Sequence, residues 1–355
     1  NIPNFDSELQ KAGGTNNAYT SNDVTNYYDI VPAQNLETAL WLEADRMNLL
    51  DFSERSLEVQ RKVVCEEFKE NYINQPYGDV WHKLRSLVYK SHPYRWPTIG
   101  LKLEHVEEAE LQDVRDFFYK HYRPNNAILT VAGGVKTDEV LALTEKWFGS
   151  IEPSEPRKRA LPIEAEIYAP RELTVEAKVP VDVMYKAWHM CERSHPDYYA
   201  TDLLSDVLSG GSSSRLYRIL VKDKQLFSEV EAYVSGSHDK GMFVVEGKYA
   251  DGVDRKVANE ALDAELDRIR TTNIEDSELE KVRNQTLAYE AFGNIAVLNK
   301  AMKLSMYELL GGAEQINTES DAYHKVSAED IKRVTQEILD PQKVCTLNYL
   351  AKKEV

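Results

Sequence analysis

The chain has 355 residues, 42% of them apolar and 29% charged, and its 59 acidic against 43 basic side chains give a formal net charge of −16. That length suits two substantial domains and the composition is that of a globular protein. An acidic balance argues against nucleic acid as a main partner, and no apolar run approaches the roughly 18 residues that would span a bilayer.

Residues 1–12 read as the end of a helix stopped by Gly13-Gly14, and Tyr19 to Val31, rich in Thr and Tyr, as one or two strands. A helix over 34–49 follows, with Leu36, Ala39, Leu40, Leu42 and Met47 on one face. A second helix is expected from about 54 to 72, ending before Pro76-Tyr77-Gly78, then a long ordered loop through SHPYRWPTIG. Helices are expected over 106–120 and 136–147, separated by a buried strand in NAILTVAG (126–133). The proline-rich segment 149–170 is the expected boundary between domains 1–155 and 156–355. Beyond it the pattern predicts strand 172–190, helix 196–208, strands within 227–250, helices over 252–269, 275–290, 297–310 and 327–338, and a closing strand VCTLNYL. Strands interrupted by helix pairs argue for an α+β fold, and the recurring element order suggests an internal duplication.

The sharpest chemical signal is in RKVVCEEFKENYINQPYG. Val63, Glu67 and Glu70 fall at i, i+4 and i+7 on one helix face, so Glu67 is expected in line with an apolar position, where a carboxylate needs a partner or a cation. A salt bridge to Arg61 or Lys62, or plain solvation, is the ordinary structural account. None of the eight histidines forms HxxH or HxxxH, and His92 and His121 read as hydrogen-bonded core or loop residues. Cys65, Cys191 and Cys345 are isolated and read as three buried thiols. GGSSSR (210–215) reads as a tight loop opening a helix rather than a phosphate cradle. NNAYTSNDVTNYY is either a half-buried strand or an exposed one able to recruit a peptide by strand addition.

Several of these blocks together resemble the pitrilysin-like zinc peptidases, family M16, which include mitochondrial processing peptidase and insulin-degrading enzyme. NNAYTSNDVTNYY resembles that family's substrate-binding edge strand, which would make Asn17, Ala18, Tyr19 and Thr20 the peptide contacts. QRKVVCEEFKENYINQP resembles the helix carrying the third zinc ligand; the alignment puts that ligand on Glu67, not Glu66, with Glu70 as a supporting residue and Gln60 where many members keep a second glutamate. HPYRWPTIG, HYRPNNAILTVAG and LLSDVLSGGSSSRLYRIL are similar to further blocks of the family, so the resemblance covers nearly the whole chain.

The resemblance implies two similar domains of mixed or antiparallel sheet packed on helices, and Zn²⁺ held in the intact enzyme by Glu67 and two histidines of an HxxEH motif. Family spacing places that motif upstream of Asn1, with its second histidine about eight residues before the chain begins and with the water-activating glutamate beside it. The chain as given would then bind zinc poorly and cleave nothing. Active members take an Arg/Tyr pair from a second homologous half; the matching positions here are Val221 and Ser228, so that half is an expected partner, covalently joined or separate, beside peptide substrates. The alternatives are a non-catalytic scaffold subunit of the same fold, or a peptide-binding module. With no signal peptide at Asn1, the compartment stays open between bacterial periplasm and cytoplasm.

Overall fold

A computed structural model of the protein describes residues 4–155 and 159–352. In chain order these form α1 (Phe5–Lys11), β1 (Thr15–Thr20), β2 (Thr25–Ile30), α2 (Leu36–Asn48), α3 (Glu54–Phe68), α4 (Val80–Val88), α5 (Leu103–Glu107), α6 (Leu111–His121) and α7 (Thr137–Phe148). There follow β3 (Arg171–Ala177), β4 (Val183–Met190), α8 (Tyr198–Ser209), β5 (Phe227–Ser235), β6 (Gly241–Tyr249), α9 (Arg255–Thr271), α10 (Asp276–Gly293), α11 (Val297–Leu309), α12 (Glu319–Lys325), α13 (Ala328–Ile338) and β7 (Cys345–Ala351). The fold is α+β, with an antiparallel and a mixed sheet packed against helices.

The described chain divides into two compact units that exchange segments: 1–69, 98–160 and 292–316 make the first, 70–97, 161–291 and 317–355 the second. In the first, α1 begins at Asn4, whose side chain accepts the Ser7 amide at 3.0 Å, and it ends where Gly13 takes φ +73°, a backbone region that favours glycine. Leu9, Ala39 and Leu42 make a small core with Phe5, Val31 and Trp41. α3 starts on Ser53, whose hydroxyl accepts the Ser56 amide, and passes after Phe68 into a wider π-type turn over Lys69–Ile73. The buried strand expected in NAILTVAG does not form. Residue Ala127 has extended backbone angles, but 127–132 join no ladder, and Ile128 and Leu129 are exposed. An extended run becomes a strand only with a partner for its backbone groups, which periodicity does not report.

In the second unit the strand order is β3-β7-β4-β6-β5, parallel between β3 and β7 and antiparallel elsewhere. β4 is central and buried on both faces, so apolar residues of VMYKAWHM occupy both faces and do not alternate with polar ones. Val183, Tyr185 and Ala187 meet α4 through Val80, Leu84 and Val88, whereas Met184, Trp188 and Met190 join α8, α9 and α13 on the other face. The outer edge of β5 is closed by Ser209: its hydroxyl donates to the Ala232 carbonyl at 2.9 Å and accepts the Ala232 N–H at 2.8 Å. GGSSSR is the expected tight loop, with Gly211 at φ +90° and Arg215 paired with Glu278 through two hydrogen bonds.

The loop after α4 is ordered by Glu164. This buried carboxylate accepts the amides of Lys90, Ser91 and His92, each at 2.8 Å. Burial alone would raise its pKa, but the three amides outweigh that and hold it below the usual range. His92 is the hydrogen-bonded core histidine expected, 3.1 Å from Asp239 through Nε2 and accepting the Tyr94 amide on Nδ1. Of the cysteines, Cys65 and Cys345 are buried as expected, but Cys191 is half-buried; all three are free thiols.

Candidate functional site

β1 and β2 form a two-stranded hairpin, with Thr15 opposite Ile30 and Thr20 opposite Thr25. Among the described residues β1 pairs with β2 alone, so its other side is a free edge. The direction of each backbone group follows from the turn. Ser21 donates its amide to the Val24 carbonyl at 2.8 Å, which makes that pair a hydrogen-bonded one. Because hydrogen-bonded and non-hydrogen-bonded pairs alternate in an antiparallel ladder, Tyr19, Asn17 and Thr15 address β2, and Thr20, Ala18 and Asn16 address the free edge. Independently, the Ala18 N–H is found bonded to the Asn17 side chain and not to β2. Asn17, Ala18, Tyr19 and Thr20 are all exposed, Tyr19 at 42%. Thus the strand read from NNAYTS exists, and of its two readings the exposed edge is the one observed.

The inner face of this hairpin rests on a charged cluster that sequence reading missed. The Arg46 guanidinium lies 4.1 Å from the centre of the Tyr27 ring and 4.5 Å from that of Phe5, and it is ion-paired with Glu43. Tyr27 and Tyr122 share a hydroxyl hydrogen bond of 2.5 Å. Asp29, opposite Asn16 in the ladder, has both carboxyl oxygens out of solvent beside the Glu43 carboxyl. Burial, and next the negative charge of Glu43, push its pKa up to about 7, against the opposing pull of Arg46. The only sequence signals were the i, i+3 spacing of Glu43 and Arg46 and the two-residue step from Tyr27 to Asp29.

Glu67 is placed differently from the sequence expectation. The buried side of α3 carries Cys65 and Phe68, while Val59, Gln60, Val63 and Glu67 are exposed, Val63 at 54%. Val63 was therefore no guide to the core, and Glu67 pays no desolvation cost. Of the two ordinary accounts, solvation is the one seen and not the salt bridge: Arg61 and Lys62 pair with Glu58, and Lys69 with Glu66. Among the described residues Glu67 makes no hydrogen bond or ion pair. Glu70 is exposed in the π-type turn. Val221 packs against the core of the second unit, and Ser228 is exposed, its hydroxyl donating to the Lys248 carbonyl.

No three His, Cys, Asp or Glu side chains come together to hold a metal ion among the described residues. Zinc takes three or four donors, so a single exposed carboxylate does not make a zinc site. No helix among the described residues is long and apolar enough to cross a membrane.

Comparison with known proteins bears on both features. Residues 3–100 match the family profile "Insulinase (Peptidase family M16)", and residues 108–286 match "Peptidase M16 inactive domain". The zinc protease PqqE of Helicobacter pylori is 30% identical over 288 residues, covering 79% of this chain; the chain in turn spans 63% of that relative's length. An uncharacterized zinc protease of Bacillus subtilis, YmxG, is 27% identical over 328 residues, 92% of this chain and 78% of the relative. The crystal structure of a protease from Helicobacter pylori superposes with a TM-score of 0.90 at 25% identity, over 97% of this chain and 84% of that one. Profiles that match the α3 half and the five-stranded half in sequence order, with a fold shared over almost the full length, show that the chain belongs to peptidase family M16.

Proposed function

We propose that this chain is a peptide-holding M16 module that takes an extended peptide as an added strand on β1. The observation that carries this reading is the free edge of β1, with the backbone groups of Asn16, Ala18 and Thr20 directed away from β2. Main-chain hydrogen bonding gives affinity that tolerates many sequences, and side chains of Asn17, Ala18, Tyr19 and Thr20 line the track. A short unstructured, fluorescently labelled peptide of Ala, Thr and Gln should bind the full chain. Methylating its backbone nitrogens one at a time should weaken binding at every second residue, because only alternate residues bond to the edge. Sensitivity without that two-residue period would defeat strand addition.

A second reading is supported by Glu67, an exposed carboxylate without a partner beside the exposed Val59 and Val63. In it the parent protein is a zinc endopeptidase. Glu67 is one metal ligand and Glu70 supports it; an HxxEH helix before Asn1 brings two histidines and the water-activating glutamate, and a second homologous half supplies an Arg/Tyr pair. Bound zinc would polarise the scissile carbonyl and activate water. The names of the relatives, zinc proteases, favour this for the parent. In a longer polypeptide carrying that helix, Glu67→Gln should lower zinc content and peptide cleavage together; undiminished zinc would remove Glu67 from the ligand set. Peptide binding with no zinc retained by the longer polypeptide would leave the module, or a scaffold subunit, as the whole function.

A further inference from the structure

Ala18 occupies the middle of the three edge positions, and its N–H is already engaged: Oδ1 of Asn17 accepts it at 2.8 Å. Asn16 and Thr20 face the same way and, among the described residues, have no such cap on their N–H groups. The Asn16 carboxamide is drawn off to Asp6, and the Thr20 hydroxyl lies 3.3 Å from that of Thr25. Asn17 is exposed, so its carboxamide can leave Ala18 for water with little desolvation penalty.

We infer that the Asn17 side chain is a self-blocking latch on the peptide edge, competing with an incoming strand for the Ala18 N–H. This rests on the reading of β1 as the peptide-binding edge. An antiparallel peptide residue opposite Ala18 must both accept its N–H and donate to its carbonyl. The first of those bonds forms only after Asn17 swings away. The latch thus sets the threshold for strand addition and keeps the free edge from pairing indiscriminately with other chains.

The test is a fluorescence anisotropy titration of the same Ala/Thr/Gln peptide against the full chain and three variants. Removing the competitor with Asn17→Ala should tighten binding about 3- to 10-fold, the range of one modest hydrogen bond. Asn17→Asp supplies a charged acceptor and should strengthen the latch, weakening binding by a similar factor at pH 7 and recovering once the carboxyl is protonated. Amide exchange at Ala18 in the free protein should quicken in Asn17→Ala. Ala18→Pro removes the outward N–H without touching a bond to β2 and should abolish binding. Weaker or unchanged binding by Asn17→Ala overturns the latch and leaves Asn17 a direct peptide contact or a bystander. No binding by the unaltered chain, or full binding by Ala18→Pro, overturns the peptide edge itself and the latch with it.

Discussion

Asp29 shows how one residue's role depends on neighbours that sequence does not bring together. It lies on the inner face of the hairpin beside Glu43, 14 positions along the chain, and its carboxyl titrates near pH 7 because burial and that negative charge oppose ionisation. In the unfolded chain the same group ionises near the ordinary aspartate value of 3.8. The folded form therefore holds the extra proton between about pH 4 and 7, and stability falls as pH rises through that window. Asp29→Asn, which mimics the protonated carboxyl, should match the parent near pH 4 and exceed it by about 1–2 kcal/mol at pH 8, the figure being reduced for solvent screening. A gap that does not grow with pH, in urea unfolding followed by circular dichroism, would remove Asp29 from the account. Glu67 is the converse case. Its identity was legible in the RKVVCEE pattern, but its exposure was not, because the apolar positions Val59 and Val63 on the same strip are themselves exposed.

At the level of elements, helix and strand identities were largely legible, since caps, glycines and apolar periods are local properties of the chain. α2, α7, α8, α11 and α13 all fall within a few residues of expectation, as do β5 to β7, whereas the single strand expected over 172–190 is two, β3 and β4. The helix expected over 106–120 is also broken, into α5 and α6, and NAILTVAG has the composition of a strand but joins no ladder. Edges were illegible for the same reason: whether a strand is paired, capped or free is decided by what lies beside it. β5 and β1 have similarly apolar or β-branched residues, yet β5 has Ser209 fastened across Ala232 and β1 has only Asn17 over its own backbone. Ser209→Ala should cost about 1–3 kcal/mol, because it strips both an N–H and a C=O of Ala232 of their partner. Ser209→Thr should recover part of that loss. If the alanine variant unfolds at the same denaturant concentration as the parent, the cap is ornamental to β5.

Across the whole molecule the two units differ in how fully they are built. The second encloses a five-stranded sheet with apolar side chains on both faces. The first has a small core around Leu9, Ala39 and Leu42 and leaves Val59, Val63, Phe117 and Leu141 in solvent, Phe117 at 58%. Of these, Val59 and Val63 are one turn apart on α3 and make a short exposed apolar strip that a partner surface can cover. The double substitution Val59→Lys, Val63→Lys should leave the stability of this chain within about 0.5 kcal/mol, as for other exposed sites. In the longer polypeptide of the zinc reading the same change should lower the unfolding midpoint and the zinc content. A marked loss of stability in this chain alone would mean that α3 is covered in solution.

By itself the sequence determined the helices and most strands, the α+β class, the resemblance to M16 peptidases and the location of the candidate strand and carboxylate. These follow from periodicity, capping chemistry and motif spacing, all of which act within a few residues. Only the tertiary structure decided that Glu67 stands in solvent, that NAILTVAG joins no ladder, that Asp29 of β2 lies beside Glu43 of α2, and that β1 has a free edge on which Asn17 accepts the Ala18 N–H. The reason is that solvation and pairing are properties of what surrounds a group in space, which periodicity and motif spacing along the chain do not report.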